Sequence, residues 1–189
     1  MTGQEYEAQV SRNGLASAMR RHGGRAMTHR GTVKEPVVPE RPEAMVREIK
    51  THLTAESSRD LEALLAGMTD DCYNLVLCDP SPLYQGPEAV ARRYRGLWTA
   101  FPDLHVRMRR LVAIVGDLAV TELTLSGTHS GPLFGVGPTG CPVQVETVVI
   151  WEFAGQRIRG ETVYFDLATM LRQVGALALP GGASSPHAR

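Results

Sequence analysis

The residues best suited to chemistry in this chain lie in and after a glycine-rich stretch. Residues 127–140 hold five glycines and two prolines together with His129, and Tyr164 and Asp166 follow further along the chain. A stretch with so few apolar side chains has little to bury, so its value lies in tight turns and close backbone approach at the mouth of a sheet. It lacks both the spacing of a dinucleotide-binding loop and the lysine of a P-loop. The stretch therefore indicates a pocket for a small molecule rather than for phosphate.

Other kinds of catalytic centre find little support. The candidate histidines and carboxylates do not stand at the His-x-Asp or His-x-x-x-His spacing of close metal ligands. No serine or cysteine lies in a nucleophile elbow. The cysteines Cys72, Cys78 and Cys141 are odd in number and form no Cys-x-x-Cys pair, which favours a reducing, cytoplasmic setting. We expect neither a metal nor a cofactor.

Composition limits the classes of partner. The 189 residues carry 20 Lys and Arg against 20 Asp and Glu, so no net field attracts nucleic acid or an anionic membrane. A hydrophobic content of 43% suffices for a core, and no apolar run reaches the length of a membrane span. We expect a soluble protein with a single main domain.

The two ends of the chain differ from its middle. Residues 8–34 are rich in arginine and contain no acidic residue, which predicts a disordered basic extension over residues 1–42. A transit peptide, or translation starting at Met27 or Met45, remains open. The polar residues 179–189 predict a disordered C-terminal tail, which leaves residues 43–178 as the domain.

Periodicity predicts helices first and strands afterwards. Helical patterns begin at Met45, at a capping box formed by Ser57 and Asp60, and after Gly86, and a short helix closes the domain at 167–174. Strand patterns cover residues 72–77, 104–114, 118–129, 142–153 and 157–165. This order is typical of an α+β fold in which a long, curved antiparallel sheet wraps around its helices and leaves a hollow.

Polar residues on the strands are candidates for lining that hollow. Both faces of residues 143–153 are largely apolar, so one face packs on helices and the other lines a cavity or an interface. Glu146 is then either a cavity carboxylate or one half of a cross-strand ion pair. Asn74 is either a polar cavity residue or part of a turn or sheet edge. Tyr164 shares a face with Asp166 and either orients substrate or belongs to the core.

Several segments together resemble a known family. They are Leu97 to Leu104 (LWTAFPDL), the glycine-rich stretch at 127–140, and Tyr164-Phe-Asp166 leading into Leu171 to Gly175 (LRQVG). In this order they resemble the SnoaL-like polyketide cyclase, or ester cyclase, family of the nuclear transport factor 2-like superfamily, over residues 45–177. The resemblance implies a cone-shaped α+β barrel, a homo-oligomer (dimer or tetramer), an apolar cavity and a place in secondary metabolism. It also implies ring closure by intramolecular aldol condensation without metal or cofactor.

The resemblance further implies roles for individual residues. Asp166 would serve as acid and base, with a pKa raised by an apolar surround that includes Tyr164 and Trp151. Its position before a short helix also makes it a favoured N-cap, and the two roles can coexist. His129 would donate a hydrogen bond to the enolate or act as an acid, or it would only shape its loop. Substrate would contact Glu146, Tyr164, Asn74 and Trp151.

Other functions remain open on the same fold. An isomerase, a dehydratase or an epoxide hydrolase would also use a buried carboxylate in a dry cavity. A non-catalytic small-molecule-binding protein would have a cavity without a reachable carboxylate, and an assembly module would have its cavity filled by side chains. An enzyme requires a carboxyl group inside an enclosed cavity with a raised pKa.

Overall fold

The described part of the chain is a mixed domain of four helices and six strands. A computed structural model describes residues 40–79 and 82–178, so residues 1–39 of the predicted disordered extension (1–42) and the predicted tail 179–189 lie outside it, whereas residues 40–42 belong to the first helix. The elements are, in order, α1 (Glu40–Ser58), α2 (Leu61–Ala66), β1 (Met68–Val76), β2 (Leu83–Gln85), α3 (Pro87–Ala100), β3 (His105–Val115), β4 (Leu118–Thr128), β5 (Pro142–Ala154), β6 (Arg157–Phe165) and α4 (Leu167–Gln173).

The strands form one curved, unclosed sheet in the order β2-β1-β6-β5-β4-β3. The predicted α+β class and the N-terminal helices are confirmed. The long strands β3 to β6 pair antiparallel as predicted, whereas β1 and β6 run parallel, a pairing that the sequence did not predict. After β1 and β2 the chain passes through α3 to the far edge of the sheet at β3. The strands β3 to β6 then run back across the sheet, so that β6 lies beside β1 and parallel to it.

Side chains at the end of α1 and at the start of α2 help to place these two helices. Asp60 is the N-cap of α2, and its carboxylate accepts a hydrogen bond from the Ala63 amide at 3.0 Å. The predicted capping box beginning at Ser57 is therefore wrong. The Ser57 hydroxyl instead accepts a hydrogen bond from the Val106 amide at 3.0 Å, which ties the end of α1 to β3.

The core lies between the inner face of the sheet and helices α1 and α3. Along β5 the inward positions are buried and alternate with more exposed ones. The inward side chains pack against the apolar stripe of α1 and the buried face of α3. The buried residues from these elements include Met45, Ile49, Leu53, Val90, Leu97, Val145, Val149, Trp151 and Phe153. Within the described ranges, no helix is both long and apolar enough to span a membrane.

The glycine-rich stretch is a loop folded onto the end of α3. The His129 carbonyl accepts the amide of Gly140 at 2.8 Å, and the amide of Ser130 donates to the Ala100 carbonyl at 2.8 Å. A Cβ atom on Gly131 would collide with the backbone of Thr99. The close backbone approach expected of this stretch is confirmed at Gly131.

Candidate active site

A buried carboxylate, Glu161, lies inside the sheet. It stands on the inner face of β6, opposite Trp151 of β5, and its exposed fraction is 3%. An ionised carboxylate this deep in a protein is stable only when hydrogen bonds or opposite charges replace water.

Donors from three elements supply those interactions to Glu161. The Tyr94 hydroxyl of α3 donates to its two oxygens at 3.0 and 3.1 Å, and His52 Nε2 of α1 lies 3.1 Å from Oε1. The Asn74 amide of β1 donates from 3.4 Å. His52 Nε2 also lies 3.0 Å from the Tyr94 hydroxyl oxygen. Glu161 is thus held as an acceptor by groups that only the folded chain brings together.

The surroundings of this cluster raise the pKa values of its two titratable donors, His52 and Tyr94. Burial opposes a charge on His52, but the negative charges of Glu161 and of neighbouring glutamates outweigh burial and raise its pKa. Burial, followed by the charge of Glu161, raises the pKa of Tyr94 well above its ordinary value. The cluster therefore joins His52 and Glu161 by a buried contact of 3.1 Å, and the Tyr94 hydroxyl lies within hydrogen-bond distance of both.

A second interior carboxyl group, Glu56, has a different environment. It lies one helical turn after His52 on α1, its exposed fraction is 8%, and neither of its carboxyl oxygens has a hydrogen-bond partner within the described chain. Burial, and then the charge of Glu161, raise its pKa to about 7, against the opposing charges of His52 and Arg93. Near neutral pH this group therefore exists in both protonation states.

Glu56 and Glu161 both line one interior cavity of about 40 Å³. The polar lining also includes Asn74, Arg93, Tyr94 and Thr147, and the remaining walls are Leu97, Val106, Leu123, Leu125, Val149, Trp151 and Val163. This space holds about one water molecule, whereas pockets for drug-sized ligands measure about 300 to 1,000 Å³. The expected hollow exists, but it is small, because large side chains fill the space inside the sheet.

Asp166 does not have the environment expected of an acid-base residue. It is exposed and caps α4, accepting the Thr169 amide at 3.0 Å and the Thr169 hydroxyl at 2.6 Å. These hydrogen bonds lower its pKa. The N-cap interpretation is confirmed. The predictions of burial and of a raised pKa are wrong, because the parity of β6 sends this side chain away from the interior.

Two predicted substrate contacts lie with Asp166 on the outer face of the sheet. Glu146 pairs with Arg109 at 2.8 Å, which confirms the cross-strand alternative, and this interaction lowers the pKa of Glu146. Tyr164 stands opposite Val148 and is 45% exposed. With Asp166 they line an open groove of about 490 Å³. The structure therefore brings three predicted residues together, but outside the interior.

The other predicted residues divide between the cavity and the loop. Asn74 and Trp151 line the interior cavity as expected, and the Trp151 indole donates to the Thr121 hydroxyl at 2.8 Å. His129 is buried in its loop, where Nδ1 lies 3.0 Å from the Thr139 hydroxyl and Nε2 has no partner among the described residues. Since His129 does not line the cavity, its position favours the loop-shaping role.

Four interior residues of this site are not among those predicted from the sequence: His52, Glu56, Tyr94 and Glu161. A signal was present on α1, where His52 and Glu56 continue the apolar stripe of Ile49 and Leu53 at helical spacing. A titratable residue inside such a stripe either forms a buried hydrogen bond or ion pair with another residue, or takes part in the function. For Glu161 the signal was its position on the opposite face of β6 from Tyr164.

Comparisons with known proteins agree on one family and fold. The model of the SnoaL-like polyketide cyclase family matches residues 45–174. A SnoaL-like protein from Jannaschia sp. CCS1 is 20% identical with a TM-score of 0.65, covering 78% of this chain and 100% of its own. TsrD from Streptomyces laurentii is 23% identical with a TM-score of 0.64, covering 71% and 97%. IdmH from Streptomyces antibioticus is 27% identical with a TM-score of 0.59, covering 69% and 97%. A search of curated proteins gives no significant match.

Proposed function

The chain belongs to the SnoaL-like polyketide cyclase family, and we propose that it is a cofactor-independent cyclase that uses Glu56 for acid-base chemistry on a β-keto molecule. The observation that carries this proposal is the state of Glu56. It lines a small, mostly apolar interior cavity, has no hydrogen-bond partner in the described chain, and has a pKa of about 7. A base poised near the working pH is what proton abstraction from carbon requires.

The reaction needs one group that works in both directions. The Glu56 carboxylate removes a proton from the carbon between two carbonyls, and the resulting enolate carbon forms a bond to a second carbonyl carbon of the same molecule. The oxygen of that carbonyl becomes an alkoxide, and protonated Glu56 returns the proton to it. Such acid-base participation contributes about 10² to 10⁴ in rate.

The buried cluster around Glu161 supports this chemistry indirectly. The Glu161 charge raises the pKa of Glu56 and the His52 charge lowers it, so these two charges help to set the pH range in which Glu56 can exchange a proton. The three donors held on Glu161 keep that charge in place. We assign His52, Tyr94 and Glu161 as positioning residues.

The volume of the cavity limits what enters it. About 40 Å³ admits only the reacting end of a molecule, and a larger substrate must displace lining side chains. The proposal therefore places the acidic carbon inside the sheet and the remainder of the substrate outside it.

The test is deuterium exchange into a simple β-keto ester. Ethyl 2-methylacetoacetate has one acidic carbon-bound hydrogen between its carbonyls, and NMR in D₂O near pH 7 follows its loss. The protein should accelerate exchange over buffer, and Glu56→Gln should reduce that acceleration by about 10² or more. Asp166→Asn is the matched control and should retain it. Full exchange by folded Glu56→Gln, or loss only in Asp166→Asn, contradicts the proposal.

A second candidate is a non-catalytic member of the same fold. The nearly filled interior favours it, since an assembly module needs no room for substrate. The same assay separates the two candidates. A wild-type protein that is folded and accelerates neither exchange nor the turnover of larger β-keto esters supports the non-catalytic role.

Two further features belong to the proposal. We place the protein in the cytoplasm, because Cys72, Cys78 and Cys141 are all free thiols. We also propose a homo-oligomer in which the outer face of the sheet meets a second copy, since Val148 and Tyr164 expose apolar surface side by side there.

A further inference from the structure

Arg93 is a partly buried cation at the interior cavity. It lies on α3, is partly buried and lines the cavity beside Glu56 and Tyr94. No hydrogen bond or ion pair joins its guanidinium to another residue in the part of the chain that the structure describes. A guanidinium taken partly out of water without a partner is costly, so such a group commonly serves a ligand.

A second unsatisfied group faces the same space. Asn74 is 3% exposed and lines the cavity, and its Oδ1 has no hydrogen-bond partner within the described residues, since its amide nitrogen is directed to Glu161. The cavity therefore offers a strong donor fork at Arg93 and a free acceptor at Asn74. A molecule that satisfies both carries an anionic or carbonyl oxygen at one end and a hydroxyl or enol nearby.

We propose that Arg93 binds a carboxylate of the substrate, so that the protein binds a free keto acid more tightly than the matching neutral ester. The inference rests on the proposed function, because it places the keto carbon chain at Glu56 while the acid group lies on the guanidinium. The planar guanidinium forms two parallel hydrogen bonds with a carboxylate, which an ester can match only with one carbonyl oxygen.

The charges around Arg93 and Glu56 make this binding pH-dependent. Glu56 faces Glu161 of β6, His52 of α1 and Arg93 of α3. The charge of Arg93 also opposes the rise in the pKa values of Tyr94, Cys78 and Tyr84. The Tyr84 hydroxyl donates a hydrogen bond to the Asp79 carboxylate at 2.6 Å. When Glu56 is ionised, its negative charge repels a bound carboxylate and offsets part of the attraction from Arg93. An anionic ligand therefore binds more tightly below the midpoint of Glu56 titration than above it.

The experiment compares levulinate, a keto acid, with methyl levulinate, its neutral ester. Binding of each is measured by ligand-observed NMR at pH 6 and pH 8, without reference to turnover. At pH 6 levulinate should bind about tenfold more tightly than the ester, and the preference should shrink at pH 8. Arg93→Met should abolish the preference, whereas Arg92→Met, which removes an exposed neighbouring arginine, should retain it.

The possible results separate failure of the anion site from failure of the proposed catalysis. Equal binding of acid and ester, no binding of levulinate, or a preference that survives Arg93→Met overturns the anion site. In Glu56→Gln the preference should persist at both pH values, because the competing charge is gone. An anion preference that depends on Arg93, together with no deuterium exchange, leaves this site standing and removes only the proposed catalysis.

Discussion

The two carboxyl groups Asp166 and Glu56 show that environment, not residue type, decides chemical behaviour. Asp166 is exposed, and the hydrogen bonds from Thr169 lower its pKa. Glu56 is buried without a hydrogen-bond partner in the described chain, and burial raises its pKa to about 7. The environment predicted for Asp166, a buried carboxyl group with a raised pKa, is found at Glu56 instead.

The raised pKa of Glu56 predicts a pH-dependent stability. The folded protein keeps this proton up to pH of about 7, whereas the unfolded chain releases it near the ordinary value of 4.5. The folded state therefore binds the extra proton between these values, and the free energy of unfolding falls as pH rises through that window. The difference is on the order of 3 kcal/mol. The pKa of His52 is also raised, so the free energy of unfolding continues to fall as pH rises above 6.5, the ordinary pKa of histidine.

Urea unfolding at pH 5 and pH 7 measures this effect. Wild type should be less stable at pH 7, and Glu56→Gln should lose most of the difference because its amide does not titrate. Asp166→Asn serves as a comparison and should retain the wild-type difference in this window, since its carboxyl group titrates below it. An unchanged difference in Glu56→Gln contradicts the raised pKa.

At the scale of elements, the loop between β4 and β5 depends on one glycine contact. Gly131 lies against the backbone at the end of α3, where a Cβ atom would collide with the Thr99 carbonyl. Backbone moves less easily than a flexible side chain, so Gly131→Ala should destabilise the fold by about 1 to 3 kcal/mol. Thermal unfolding measures the loss.

Gly137 of the same loop is the matched control for Gly131. A Cβ atom there has no neighbour within 4 Å, and Gly137 is not among the glycines with positive φ. Gly137→Ala should leave stability nearly unchanged. Equal losses in the two variants would show that the loop responds to any added side chain. The close contact of Gly131 with α3 would then not explain the loss.

At the scale of the whole molecule, the outer face of the sheet is the surface proposed to meet a second copy. Val148 and Tyr164 lie opposite each other there, 38% and 45% exposed, beside the Arg109–Glu146 ion pair. Lysines at both apolar positions should convert a dimer or tetramer to monomers, because like charges would face each other across a two-fold axis. Sedimentation equilibrium measures the mass.

The control for this surface is Leu83→Lys, which changes an apolar residue of β2 that is 55% exposed and lies at the opposite end of the sheet from β3. This variant should keep the assembly of wild type. A monomeric wild type, or an assembly that tolerates lysine at both Val148 and Tyr164, would exclude the outer face as the interface.

The sequence by itself determined the order and type of most elements. The apolar, strand-forming residues along 142–153 and the helical spacing from Met45 to Leu53 are local patterns, and both the strand and the helix form there. The family followed from ordered segments of the chain. The short strand β2 and the parallel pairing of β1 with β6 were missed, because three residues carry too weak a pattern and pairing depends on distant segments.

Only the tertiary structure decided which carboxyl groups are dry. Glu161 and Asp166 lie on one strand and the residue that follows it, yet packing buries the first among His52, Tyr94 and Asn74 and leaves the second in water. A pKa depends on charges and burial supplied by residues far away in the chain. Local spacing carries no record of those neighbours, so the chemistry of this interior emerges only when the sheet curves around its helices.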